Sequence, residues 1–207
     1  MMKSLTSLSL AALVGLTAAA ASATDFEISA SPLSTASYTS DADLETISGT
    51  SVQVSGTIAT DLKDPSKTSG SFSIPVTSLL SGVPMRDEHM AGKDWLNAAE
   101  FPNITFAIKS LKLKGDNKAL TAGSSVQADA TGEFTLHGVT KTITIPVRAS
   151  YREIAAGQVY GLEGNILRIE TTFGIKLSDY GVNIPAPLTA KVANELTLTV
   201  KATAKQK

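Results

Sequence analysis

Arg86, Asp87 and His89 stand within four residues and form the densest cluster of chemically versatile side chains in the sequence. A cation, a carboxylate and an imidazole side by side could grip a polar headgroup, or pass a proton as general acid and base. They could equally clamp a short helix to its surroundings, because charged groups on a turn make strong hydrogen bonds to nearby backbone and side chains. His137, the other of the two histidines, precedes Gly138 at a tight turn, where it is expected to be exposed or bonded to loop backbone.

The remaining chemistry is narrow. A catalytic zinc site needs three protein ligands, and no H-x-x-x-H or H-E-x-x-H spacing occurs. With no cysteine there is no thiolate ligand, thiol nucleophile or disulfide. The serines scatter along the chain without a G-x-S-x-G elbow, and neither G-x-G-x-x-G nor a phosphate loop is present. The sequence therefore assigns no catalytic residue, no metal ligand and no cofactor. Lys and Arg number 18 against 19 Asp and Glu, with no run of like charge. That balance gives no footing for nucleic acid.

The elements that must position any site follow a leader. Met1-Met2-Lys3 gives a basic start, residues 5–20 are mostly apolar, and Ala21-Ser22-Ala23 is a small-x-small site. This order predicts a signal peptide over residues 1–23, cleaved after Ala23, and hence a periplasmic or secreted protein. Ser7, Ser9, Gly15 and Thr17 break the apolar run, which is short for a span of about 20 residues. No integral membrane span is expected after cleavage. Residues 24–207 suit one domain.

That domain reads as strands. Val52, Val54 and Ile58 share a face; Phe72, Ile74 and Val76 alternate, as do Ile104, Phe106 and Ile108. Phe134 and Leu136 continue the pattern, then Ile143, Ile145 and Val147, then Leu167, Ile169, Phe173 and Ile175, then Leu196, Leu198 and Val200. Period two buries one face of each strand. Polar breaks are expected at residues 63–66, 114–117, 138–141 and 155–157. The class is all-β, with about eight strands, mostly hairpins. Closure into a barrel would remove the sheet edges, although alternation alone does not separate a barrel from a sandwich. Residues 85–99 lack alternation and predict two short helical turns, with Asp87 and Asp94 near their starts. Residues 178–187, with Gly181, Pro185 and Pro187, predict a loop.

The central segments carry a further signal. Arg86-Asp87-Glu88-His89-Met90, then Asp94-Trp95-Leu96, then Phe101-Pro102-Asn103-Ile104-Thr105-Phe106 resemble the hallmark of the YceI-like family. Gly132-Glu133-Phe134-Thr135-Leu136-His137-Gly138-Val139-Thr140-Lys141 is similar to that family's second signature, and Phe173-Gly174-Ile175 to a third. The resemblance implies an extended, antiparallel, lipocalin-like β-barrel with a short helical segment near residues 86–98. It also implies an elongated apolar pocket for a polyisoprenoid chain, such as a quinone or its precursor, or for another long amphiphilic lipid, and export to the periplasm. Two departures stand out: residues 32–38 hold no histidine where the family often has one, and Glu170-Thr171-Thr172 replaces its arginine and acid.

On that expectation the ligand surface comprises Phe72, Ile74, Val76, Ile104, Ile108, Phe106, Phe134, Leu136, Phe173 and Ile175 from strands. Leu79, Leu80, Met90, Trp95 and Leu96 join from the helical region, with Arg86, Asp87 and His89 as headgroup contacts or helix clamp. The bland alternative is that these side chains fill a solid core and the protein acts through surface loops such as residues 178–187; a less favoured one is a lipid-headgroup enzyme. Ligand identity is left open, as is oligomeric state, a homodimer included.

Overall fold

Side-chain alternation converts into strand along most of the chain. A computed structural model describes residues 23–207; the expected leader lies outside the described residues except for its last position. The strands are β1 (Thr24–Ile28), β2 (Thr35–Asp41), β3 (Thr46–Ser51), β4 (Ser55–Asp61), β5 (Asp64–Pro75), β6 (Asn103–Lys114), β7 (Ser125–Leu136), β8 (Val139–Val159), β9 (Leu162–Lys176) and β10 (Glu195–Gln206). Among the described residues the one α-helix, α1 (Pro84–Ala91), lies between β5 and β6. Every pairing is antiparallel, in the order β1-β4-β5-β6-β7-β8-β9-β10-β2-β3. A further pairing, Phe26 with Gln206 through Ile28 with Ala204, joins β1 to β10 and closes a barrel.

Ten segments are more than the eight or so expected, yet the wall is eight staves around. β1 and β2 lie end to end along one edge of β10, which pairs β1 through residues 204–206 and β2 through residues 196–201. β3 and β4 likewise form one interrupted stave beside them. The interruptions split the barrel into two ends. At the far end β4 pairs with β5 and β1 with β10, so the wall is continuous. At the other end β5 stops at Pro75 and turns through a 3-10 segment, Val76–Ser78. There β3 meets the chain beyond β5 through an isolated bridge between Thr50 and Leu80, with N–O distances of 3.0 and 3.1 Å, and a hydroxyl bond between Ser51 and Ser78 at 2.6 Å.

Three of the expected breaks are corrected. The β4–β5 turn uses only residues 62–63, so Asp64–Ser66 already belong to β5. His137 (φ 51°) and Gly138 (φ 73°) make the β7–β8 turn alone. Two successive positive-φ residues match the right-handed twist of the strands, so the hairpin needs no more. Residues 155–157 lie inside β8, because the β8–β9 hairpin runs on to Tyr160 and Gly161 with both faces exposed. An overhang bathed on both sides loses the alternation that marks a half-buried strand.

The helical region is also simpler than expected. Pro84 starts α1 at a position where its missing N–H is harmless, and only turns follow, so Asp94 lies in a turn and not at a second helix start. Residues 178–187 are not a plain loop. The 3-10 segments Leu177–Tyr180 and Ala186–Leu188 flank them, and Tyr180 and Val182 are buried.

The far end is plugged. Leu120, on the loop between β6 and β7, is buried, and its amide donates to Leu62 O at 2.7 Å. Phe26 and Tyr151 pack edge to face beside it, ring centroids 6.4 Å apart.

Candidate functional site

Between the plugged far end and α1, the inward-facing residues of the staves enclose two cavities. The outer chamber, about 380 Å³, lies toward the end where β5 departs. Its wall combines Tyr38 and Ser40 of β2, Ile47 of β3, Ile104 of β6, Phe134 and Leu136 of β7, Ile175 of β9, and Leu196 and Leu198 of β10. Leu79, Arg86, His89, Met90, Trp95 and Leu96 close it on the α1 side, and Leu177, Val182, Leu188 and Val192 opposite. Val83 and Met85 also line it, yet both are exposed, Met85 to 68 %, so the mouth opens beside the start of α1. The lining is apolar except for four side chains: Arg86 and His89 on α1, beside the mouth, and the buried Tyr38 and Ser40 of β2.

The deeper chamber, about 90 Å³, lies in the middle of the barrel above the Leu120 plug. Phe72, Ile74, Phe106, Ile108 and Phe173 line it, with Ile104 and Phe134 shared between the chambers. Four threonines also reach it, and the hydroxyls of three of them, Thr60, Thr68 and Thr171, are engaged elsewhere. Thr60 and Thr68 hydroxyls bond each other at 2.6 Å, Thr68 donates to Pro65 O at 2.7 Å, and Thr171 donates to Pro146 O at 2.7 Å. What they offer the cavity is their methyl groups, so the chamber presents an apolar surface.

Of the residues expected from sequence, Leu79, Met90, Trp95, Leu96, Ile104, Phe134, Leu136, Ile175, Arg86 and His89 line the outer chamber. Phe72, Ile74, Phe106, Ile108 and Phe173 line the deeper one. Three are placed differently. Val76 is 1 % exposed and packs in the core without lining either chamber. Leu80 points outward, 57 % exposed, because its backbone is committed to the bridge with Thr50. Asp87 faces away from the cavity toward Ser81, whose amide (2.8 Å) and hydroxyl (2.6 Å) both donate to Oδ1.

Those bonds define the helix clamp. The Ser81 hydroxyl, then its amide, holds the Asp87 carboxyl below its ordinary range. Arg86 Nη2 reaches across to Glu45 Oε1 at 3.0 Å, tying α1 to the β2–β3 turn. On the opposite rim, Leu44 N donates to Ala190 O at 2.9 Å and Ala193 N to Ser40 Oγ at 2.9 Å. α1 itself buries none of its residues. It is held by these few polar ties more than by packing, the pattern of a segment that opens at low free-energy cost.

Tyr38 is the residue that sequence reasoning missed. Its ring lies flat over Gly49, its cross-strand partner, close enough that a Cβ there would stand 2.9 Å from Tyr38 Oη. Burial, then the Asp87 charge, push the phenol up, while Arg86 opposes them. The hydroxyl thus stays protonated beside the mouth, a donor for a headgroup acceptor. Its alternation with Ala36 and Ser40 was a readable signal, as was that of Leu196 and Leu198. Nothing periodic marks Leu177, Val182, Leu188 or Val192, which arrive from irregular chain. His137 Nδ1 lies 3.1 Å from Tyr180 O, the loop-backbone bond anticipated for it.

Two of the three side chains in the Arg86-Asp87-His89 cluster have partners. Arg86 is taken by Glu45 and Asp87 by Ser81, and among the described residues no three His, Cys, Asp or Glu side chains could hold a metal ion. No helix among the described residues is long and apolar enough to cross a membrane.

Comparison with known proteins places the architecture. Residues 18–204 match the profile of the YceI-like domain. A UPF0312 protein of Pseudomonas fluorescens (strain SBW25) is 30 % identical over 152 residues, 73 % of this chain and 72 % of the relative. The crystal structure of Burkholderia cenocepacia BcnA superposes with a TM-score of 0.67 at 24 % identity, over 83 % of this chain and 96 % of that one. A polyisoprenoid binding domain from Saccharophagus degradans, implicated in plant cell wall breakdown, gives 0.65 at 13 % identity, over 89 % and 99 %. At such identities the structures share the fold.

Proposed function

The chain belongs to the YceI-like family, and from that premise we propose that it is an exported carrier, holding a long-chain isoprenoid or other amphiphilic lipid in its barrel. The observation that carries the reading is the outer chamber: about 380 Å³, lined mainly by apolar side chains, with Arg86 and His89 of α1 among its few polar ones. That is the layout of a site for a molecule with an apolar body and one polar end. The polyisoprenoid binding domain that shares the fold supports the ligand class, and the leader motif supports export, to the periplasm or beyond.

Energetics favour a passive mechanism. Each buried methylene contributes about 0.8 kcal/mol, so a fifteen-carbon tail gains roughly 12 kcal/mol before the costs of association. Those costs run to about 4–15 kcal/mol, so binding needs no charge pair and stays reversible. The tail lies in the chamber, the headgroup meets Tyr38, Arg86 and His89, and exchange proceeds through displacement of α1. With Arg86 and Asp87 already partnered, the reading is of a binding protein and not an enzyme.

The test is gentle purification from the native host, native mass spectrometry, and fragmentation of whatever lipid extracts. A discrete adduct with a prenyl or acyl chain is expected. A clean apo mass, with no uptake of added long-chain lipids, would remove the proposal.

A further inference from the structure

The two chambers share two lining residues, Ile104 and Phe134, which stand as a septum between them. The two halves of that septum differ. Phe134 is buried and locked: Phe173 packs on it edge to face with centroids 5.9 Å apart, and Tyr180 at 5.4 Å. Tyr180 is itself held, its carbonyl 3.1 Å from His137 Nδ1 and its ring 5.7 Å from Lys141 Nζ. Ile104 has cavity on both sides, and so has room to change rotamer. Behind the septum the deeper chamber is apolar and ends at the Leu120 plug.

We infer that Ile104 and Phe134 gauge tail length, so that the barrel selects isoprenoids of about three to four units and rejects much longer ones. The inference rests on the carrier reading above. A dry cavity of 150 Å³ accommodates benzene, which is about 25 Å³ per carbon. The outer chamber, about 380 Å³, then holds about fifteen carbons, and the deeper one, about 90 Å³, about four more once Ile104 yields. Carbons beyond that number have no apolar space left and must protrude through the mouth into water.

Competition from vesicles reads this directly. Tails that fit exchange one apolar medium for another and are near neutral, whereas each methylene left in water costs about four-fold in affinity. An equimolar mixture of geraniol, farnesol, geranylgeraniol and octaprenol in phosphatidylcholine vesicles is equilibrated with the protein, and adducts are counted by native mass spectrometry. Farnesol and geranylgeraniol should both load, while octaprenol, with about twenty carbons left in water, should give no adduct. Ala149→Leu, which adds about three carbons of bulk to the deeper chamber, should lower geranylgeraniol relative to farnesol by ten-fold or more. Octaprenol loading as well as farnesol would overturn the gauge while leaving the carrier reading intact. Absence of any prenol adduct would also overturn the gauge, and only a further failure to take up acyl-chain lipids would remove the carrier reading with it.

Discussion

Glu45→Gln severs the ion pair that ties α1 to the β2–β3 turn, and it should accelerate ligand escape without unfolding the barrel. Both partners are about one-third exposed, Arg86 at 33 % and Glu45 at 35 %. Exposed pairs of that kind contribute about 0.2–1 kcal/mol. If the tie is lost in the opening transition state, that range becomes a rise of about 1.4- to 5-fold in off-rate. The molecule supplies its own probe: Trp95 is the one tryptophan and lines the outer chamber, so its emission should change on ligand release in a stopped-flow chase. Salt at about 1 M screens exposed charges within roughly 3 Å, so it should reproduce the effect in the wild type and add nothing to the mutant. Thermal stability should fall by less than about 1 kcal/mol. An off-rate indifferent to both mutation and salt would refute the latch. So would a change well above ten-fold, which one exposed pair cannot supply.

Three other outcomes are expected. Gly49→Ala pushes the Tyr38 ring off its seat into the outer chamber; overpacking of this kind costs about 1–3 kcal/mol, and a melting curve together with lipid titration should show both lower stability and weaker uptake. Leu120→Ala removes the far-end plug, with a denaturation loss of about 2–5 kcal/mol; an unchanged midpoint would mean that the plug is dispensable. Asp87 is held below its ordinary value by Ser81, so its contribution is present above the unfolded carboxyl value of about 3.9 and is lost as pH falls through the folded one. Hydrogen exchange should therefore show α1 losing protection in acid before β7 does, and simultaneous loss would contradict the clamp.

How much of this was readable depended on whether a residue's role is local. β7 alternates buried and open positions without a break from Val126 to Leu136, so its inward face, Phe134 included, followed from period two. The barrel's closure did not, because nothing local in Phe26 or Ala204 announces that they are partners. The split staves were illegible for the same reason: nothing in residues 29–34 records that β2 resumes the line of β1 on the same edge of β10. Leu80 shows the opposite failure. It is apolar and next to Leu79, but a single backbone bridge decides its direction, and side-chain type carries no record of that. In the Arg86-Asp87-His89 cluster, the partners of Arg86 and Asp87, Glu45 and Ser81, lie outside the motif, so the motif alone could not name them.

The pairing of β1 with β10 also governs when the protein can become itself. The two strands that seal the wall come from opposite ends of the domain, so the seal spans about 180 residues of chain. Bringing such distant ends together costs about 2–3 kcal/mol more entropy than closing a ten-residue hairpin, and topologies dominated by distant pairings fold slowly. Until β10 has been synthesised and delivered, β1 and β9 are open edges and the cavity has no wall on that side. A chain emerging from a ribosome therefore cannot close its cavity, or enclose anything in it, before β10 is available to pair.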